Sequence, residues 1–174
     1  MTPKSLLRNK LCTSKIEDFT NGSSFHRVLW DDAEKGSSST ELAKDKNIRR
    51  VVMCSGKVYF DLLEERDARG LNDIYLLRFE QFYPFPAMSA LKELERFQNA
   101  EMVWCQEEPK NQGAWSFMEP NIEWVLSRMN AKFKRPIYVG RPTSASPATG
   151  LASQHKEQQK LLVEEALNLK ENKK

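Results

Sequence analysis

A chain of 174 residues with 40% hydrophobic and 10% aromatic side chains has enough apolar mass to enclose one core, which excludes a disordered protein and leaves one domain with tails as the expectation. Its 27 Lys and Arg stand against 24 Asp and Glu, interleaved along the chain, so a net charge of +3 does not form the clustered basic stripe of a nucleic-acid binder. The apolar runs are a few residues long against the roughly 20 that a membrane helix needs, and mean hydropathy is −0.64, so no membrane-spanning helix is expected.

The first eight residues are basic but show neither the apolar stretch nor the cleavage site of a signal peptide, so the chain is expected to stay in the compartment where it is made. Residues 1–30 are punctuated by Pro3 and Asn21-Gly22 and read as an extended arm. Residues 31–49 are charged, Ser-rich and almost free of large apolar groups, which predicts a flexible linker. The remainder, 50–174, reads as the folded domain. Arg50-Val51-Val52-Met53-Cys54 is the continuous apolar run of a strand buried on both faces. Val58, Tyr59, Leu62, Leu63 and Arg66 then recur at helical spacing, with Gly70 placed to end the helix. A second strand is predicted at Ile74-Tyr75-Leu76-Leu77, and Pro84-Phe85-Pro86 breaks the chain before an amphipathic helix over 88–97. Met102-Val103-Trp104-Cys105 predicts a third strand, residues 115–129 a helix bent or restarted at Pro120, and Pro136-Ile137-Tyr138-Val139 a fourth strand. A turn over 144–150 leads to a last helix over 151–169, whose apolar face holds Leu162, Val163, Ala166, Leu167 and Leu169. Strand and helix alternating at this spacing imply right-handed crossovers and an α/β fold: a doubly wound, mostly parallel sheet with helices on both faces.

Few residues present themselves for chemistry. Cys12, Cys54 and Cys105 are odd in number and far apart, without metal or disulfide spacing, and the two inside apolar runs behave as small buried hydrophobes. His26 and His155 each lack a second ligand nearby. The densest polar stretch beside apolar structure is Gln106 to Trp115, at the carboxyl edge where open α/β sheets place ligands. Glu107 and Glu108 are consecutive, so in extended chain they point apart and cannot share one substrate atom. A hydrogen-bonded loop that fixes an interface, anchored by Trp115 behind Gly113, is the simpler reading. Arg141 with Ser146 and the turn before the last helix offers either an anion site or an ordinary cap, with Ser146 as N-cap and Pro147 as first helical residue. Ser55-Gly56-Lys57 offers the same pair of readings.

Five strings occur in order across nearly the whole chain: residues 1–8; Cys54-Ser55-Gly56-Lys57-Val58-Tyr59; Glu80-Gln81-Phe82-Tyr83-Pro84-Phe85-Pro86; residues 104–115; and residues 140–150. Together they resemble the C-terminal end of the thiamine-dependent decarboxylating component of the 2-oxoglutarate dehydrogenase complex. The resemblance implies a transketolase C-terminal-like domain over 50–174, preceded by the end of a pyrimidine-binding domain in residues 1–30. It further implies a full-length oxidoreductase of the tricarboxylic acid cycle that decarboxylates 2-oxoglutarate with thiamine diphosphate and Mg2+, both held upstream, and passes succinyl to a lipoyl-bearing succinyltransferase. The fragment alone is then expected to bind no cofactor, to be catalytically silent, and to act as a structural, dimer-forming or regulatory unit in a bacterial cytoplasm or mitochondrial matrix. Expected partners are the rest of its own subunit and a homodimer partner, with no nucleic acid and no membrane. Gln106, Glu107, Glu108, Asn111, Gln112 and Trp115 are the implied interface. Arg8 and Gln81 match an acyl-CoA-binding surface of some relatives, and Arg141 and Ser146 join them as possible regulatory ligands. Ala87-Met88-Ser89, however, stands where those relatives carry an Arg-rich run, which removes the best phosphate partners. The alternative is a free-standing nucleotide- or acyl-CoA-binding α/β module.

Overall fold

The computed structural model describes residues 3–20, 22–36 and 38–168; Leu169, the lysine-rich residues 170–174 and Asn21 of the Asn-Gly turn lie outside the described residues. Strand β1 (Val28–Leu29) precedes β2 (Arg50–Cys54), α1 (Val58–Ala68), β3 (Ile74–Phe79), α2 (Ala87–Leu94), β4 (Glu101–Pro109), α3 (Trp115–Arg128), β5 (Ile137–Arg141) and α4 (Ala152–Ala166). The strands form one sheet in the order β1-β3-β2-β4-β5. All pairings are parallel except that of β1, which runs antiparallel to β3 through Val28↔Phe79 and Leu29↔Arg78.

All five residues of β2 are buried, and their alternation divides them between two cores. Val51 and Met53 join Tyr75, Leu77, Met102 and Trp104 beneath α2 and α3, while Val52 and Cys54 join Leu76, Val103 and Val139 beneath α1 and α4. Helices cover both faces, so the inner strands have no solvent side and show no polar alternation. The α/β, doubly wound expectation holds.

Five local features depart from the sequence reading. Residues 31–49, for which composition predicts a flexible linker, are irregular but tied down. Asp31 and Arg66 form an ion pair with both side chains fully buried, and Asp31 also accepts from Leu76 N at 2.7 Å and Ala33 N at 2.9 Å. Ser38 and Thr40 donate their hydroxyls to Asp67 at 2.6 and 2.8 Å, and Ala43 N bonds Asn72 O. The end of the expected arm enters the sheet as β1, ahead of which stand two single 3-10 turns, Lys4–Leu6 and Ile16–Phe19. Strand β4 runs on to Pro109 through a register shift between Cys105 and Pro109. The helix with Pro120 is continuous. The last helix begins at Ala152 with Leu151 as N-cap, so Ser146 caps nothing; its hydroxyl bonds Ala148 O within the turn.

Candidate functional site

The chain leaves β2 toward β3 on one side and, after crossing back, leaves β4 toward β5 on the other, so the sheet's topological switch point lies between the carboxyl ends of β2 and β4. A cleft of about 550 Å³ opens there. One wall is the turn Ser55-Gly56-Lys57, the other is Gln106, Glu107 and Glu108 of β4, and Gly113, Ala114 and Phe117 at the start of α3 form an end. Phe82, Tyr83 and Trp104 supply an aromatic side, with Trp104 edge-on to Phe82 at 6.0 Å between centroids.

Gln106, only 4% exposed, holds this architecture in place. Its Oε1 accepts from the Trp104 indole N–H and from Trp115 N, each at 3.0 Å. Its Nε2 donates to the carbonyls of Glu108, Pro109 and Gln112 at 3.3, 3.2 and 2.8 Å. The amide thus closes the loop between β4 and α3. Gly113 fits here for two reasons. Its φ is +67°, and a Cβ would lie 2.9 Å from both Gln106 Nε2 and Glu108 Cβ.

Lys57 spans the cleft mouth, 2.6 Å from Asp61 and 3.2 Å from Glu107. Burial disfavours its charge, but the two carboxylates outweigh burial and raise the ammonium above its ordinary range. Lys57 is therefore a neutralised cation. It is neither a proton acceptor nor an unpaired positive charge awaiting a phosphate. Glu107 faces Lys57 while Glu108 is exposed, in keeping with side chains that alternate along a strand. Cys54 and Cys105 lie fully buried under α1 and α4, where burial pushes the Cys54 thiol up to about 12 and the Cys105 thiol well above the usual range.

The sequence-predicted residues divide accordingly. Gln106 and Trp115 are buried inside the domain and stiffen the loop from behind, while Glu107, Glu108, Asn111 and Gln112 keep solvent-facing surface. Asn111 and Gln112 donate to Ser144 O at 3.0 and 3.1 Å, joining this loop to the turn before α4. The four residues read as regulatory ligands are not brought together. Arg8 lies exposed in the arm, and Gln81 beyond β3 bonds Pro84 O. Arg141 ends β5, and Ser146 lies in the turn that follows. Strands β3 and β5 stand three strand spacings apart, roughly 14 Å. Lys57 belongs to the Ser55-Gly56-Lys57 turn read from the sequence as an anion site or a cap; the alternating topology, which sets the switch point beside it and beside Phe117, is what places both in the cleft.

Among the described residues no three His, Cys, Asp or Glu side chains converge where a metal ion could sit.

Comparison with known proteins adds what the geometry lacks. The family model described as 2-oxoglutarate dehydrogenase C-terminal matches residues 13–167. The 2-oxoglutarate dehydrogenase E1 component of Brucella anthropi is 59% identical over 168 residues, covering 96% of this chain and 17% of that protein. The E1 components of Brucella ovis and Brucella melitensis biotype 1 show the same identity and the same coverage. The chain thus spans 17% of the length of the curated relatives it matches.

Proposed function

Because this chain belongs to the 2-oxoglutarate dehydrogenase C-terminal family, we propose that it is the C-terminal α/β unit of a decarboxylating E1 subunit and supplies a structural, dimer-forming or regulatory surface rather than the reaction centre. The observation that carries this reading is the pairing of an almost full-length match with a 17% share of the relatives. In the whole subunit, 2-oxoglutarate would lose CO2 on thiamine diphosphate held with Mg2+ by other domains, and succinyl would pass to a lipoyl arm of the succinyltransferase component. The cleft residues support the division of labour: Lys57 is spent on Asp61 and Glu107, and Gln106 on its own loop. What is left facing outward is an interface composed of Glu107, Glu108, Asn111 and Gln112, flanked by Tyr83, 83% exposed, and Phe117.

The test is to assay the 174-residue chain for 2-oxoglutarate decarboxylation with thiamine diphosphate and Mg2+. No turnover above the protein-free rate is expected, and clear turnover would overturn the proposal. The switch-point cleft of about 550 Å³ favours a second reading, a nucleotide- or acyl-CoA-binding module. Calorimetric titration with AMP and with acetyl-CoA separates the two, since saturable heat supports the second reading and its absence at millimolar ligand removes it.

A further inference from the structure

Helix α4 is held to the sheet in two different ways along its length. Its buried residues, Leu162, Val163 and Ala166, all lie in the second half. The carboxyl end is also tied by Arg50, which donates to Glu165 O and Ala166 O at 3.0 Å each, and by Arg49, which donates to Leu167 O. Residues 152–157 are all exposed. What joins this half to the domain is polar: Arg141 Nη2 lies 2.8 Å from His155 Nδ1 and 3.5 Å from Gln159 Oε1, and Gln159 Nε2 donates to Asp61 at 2.8 Å.

Arginine only donates, so a hydrogen bond in this contact requires a lone pair on Nδ1, which is the neutral form of His155 with its proton on Nε2. Arg141 is 8% exposed, its Nε has no partner, and no carboxylate among the described residues lies within ion-pair distance of it. The His155 lone pair is its closest side-chain acceptor. A proton on Nδ1 would remove that acceptor and set a second cation against a buried first one.

We infer that the Arg141–His155 contact is a proton-operated latch, which fastens the first half of α4 to the end of β5 while His155 is neutral and releases it when His155 is charged. Imidazole is the side chain whose ordinary charge change falls between about pH 5 and 8. The charged groups around it are few. Arg141 faces it from β5. Through Gln159 the network reaches Asp61 and Lys57 of α1 and, beyond them, Glu107 of β4. Lys110 touches the other side of Arg141 through its backbone, donating N–H to Arg141 O. Lys156 and Glu157 follow His155 on its own helix and offset each other, and residues 142–151 contain no titratable side chain. Apart from Gln159 Oε1, already at 3.5 Å from Arg141 Nη2, none of these supplies an acceptor to replace Nδ1. The released half would include the helix start that follows the turn tied to Asn111 and Gln112, so the latch sits one link from the candidate interface.

Hydrogen exchange on the intact chain tests this, with rates corrected for the intrinsic effect of pH. Protection of amides over 155–158, the first to be hydrogen-bonded in α4, should fall on the order of threefold to tenfold between pH 7.5 and 5.5, while amides over 162–167 keep theirs. His155→Gln offers a neutral acceptor that does not titrate and should abolish the pH response with protection retained. His155→Lys should show low protection at both pH values. His26, the other histidine, is unchanged in both variants. Equal protection of 155–158 at the two pH values in the natural chain, or a pH response that persists in His155→Gln, would overturn the latch.

Discussion

The Gln106 amide sits where the two Trp donors and three carbonyls of the β4–α3 loop converge; with an alanine there Glu108 O and Pro109 O keep Tyr138 Oη and Gln112 N, while the Trp104 indole, Trp115 N and Gln112 O lose the partner shown. Each buried group left unsatisfied costs about 1–3 kcal/mol, and neighbours do not add fully. Gln106→Ala should therefore destabilise the chain by about 3 kcal/mol, read as a lower denaturant midpoint at unchanged slope. Close approach governs Gly140 instead. A Cβ there would lie 2.5 Å from the Tyr138 hydroxyl and 2.7 Å from Gln106 O. That hydroxyl donates to Arg141 O at 2.8 Å and approaches Glu108 O at 3.1 Å, so it has little room to yield. Gly140→Ala should cost about 1–3 kcal/mol. In a Tyr138→Phe background the cost should shrink but stay positive, because the Gln106 carbonyl is backbone; a double-mutant cycle measures the difference, and full additivity would show that the hydroxyl is not the obstacle.

At the scale of elements, the segment 31–49 owes its order to residues distant in sequence, which makes it sensitive to single changes. Asp31→Asn keeps the shape of the side chain but leaves Arg66 buried without its main counter-charge, and breaking a buried pair in this way costs about 3–5 kcal/mol. Asp67 gives a pH signature. Burial works against its charge, but the hydroxyls of Ser38 and Thr40, with Arg66, outweigh burial and hold the carboxyl below the usual aspartate range. Its contribution to stability is thus fully present above the unfolded value of about 3.9 and is lost as pH falls through the lower folded value. The stability gap between the natural chain and Asp67→Asn should be constant near neutrality and close below about pH 4, measured by urea unfolding across pH; a gap that widens on acidification would contradict the assignment. The same logic explains what could be read in advance. Strands β2, β3 and β4 announce themselves as unbroken apolar runs because both faces are buried, whereas β5 at the sheet edge leaves Ile137 43% exposed. The extension of β4 to Pro109 does not, since its residues 106–108 are polar and Gln106 finds its partners locally only after the loop has closed. Nor does the fixing of 31–49, whose Ser, Thr and Asp residues look like solvent-facing linker until Arg66 and Asp67 are placed beneath them. Ser146-Pro147 has the form of a helix start, yet the turn is held by Asn111, which exchanges two hydrogen bonds with Ser144, and the helix waits until Ala152.

For the whole molecule, two segments of similarly polar composition are expected to behave differently. In the arm, Leu7, Ile16, Phe19 and Phe25 are each at least 67% exposed, and residues 10–20 are held by short-range turns of their own rather than by the core. From Arg27 onward the chain is bonded into the sheet: Arg27 O accepts from Glu80 N and Gln81 N, then β1 pairs with β3, then Asp31 is clamped. Proteolysis follows local opening rather than composition. Brief trypsin treatment should therefore cut first after Arg8, Lys10 and Lys15 and leave a stable product beginning at residue 9, 11 or 16. Lys44 and Lys46 should be spared, because Ala43 N is bonded to Asn72 O and Asp45 to Arg96. Mass spectrometry of the first product decides between the two descriptions: a fragment beginning at residue 45, 47 or 50 would mean that 31–49 opens as a linker after all. The arm's outward Leu, Ile and Phe side chains add a further expectation that rests on the proposed parent subunit. If the missing four-fifths of the relatives' length covers those side chains, the matching sites in an intact relative should resist the trypsin dose that trims this chain, and equal trimming of both would show that nothing in the larger subunit packs against the arm.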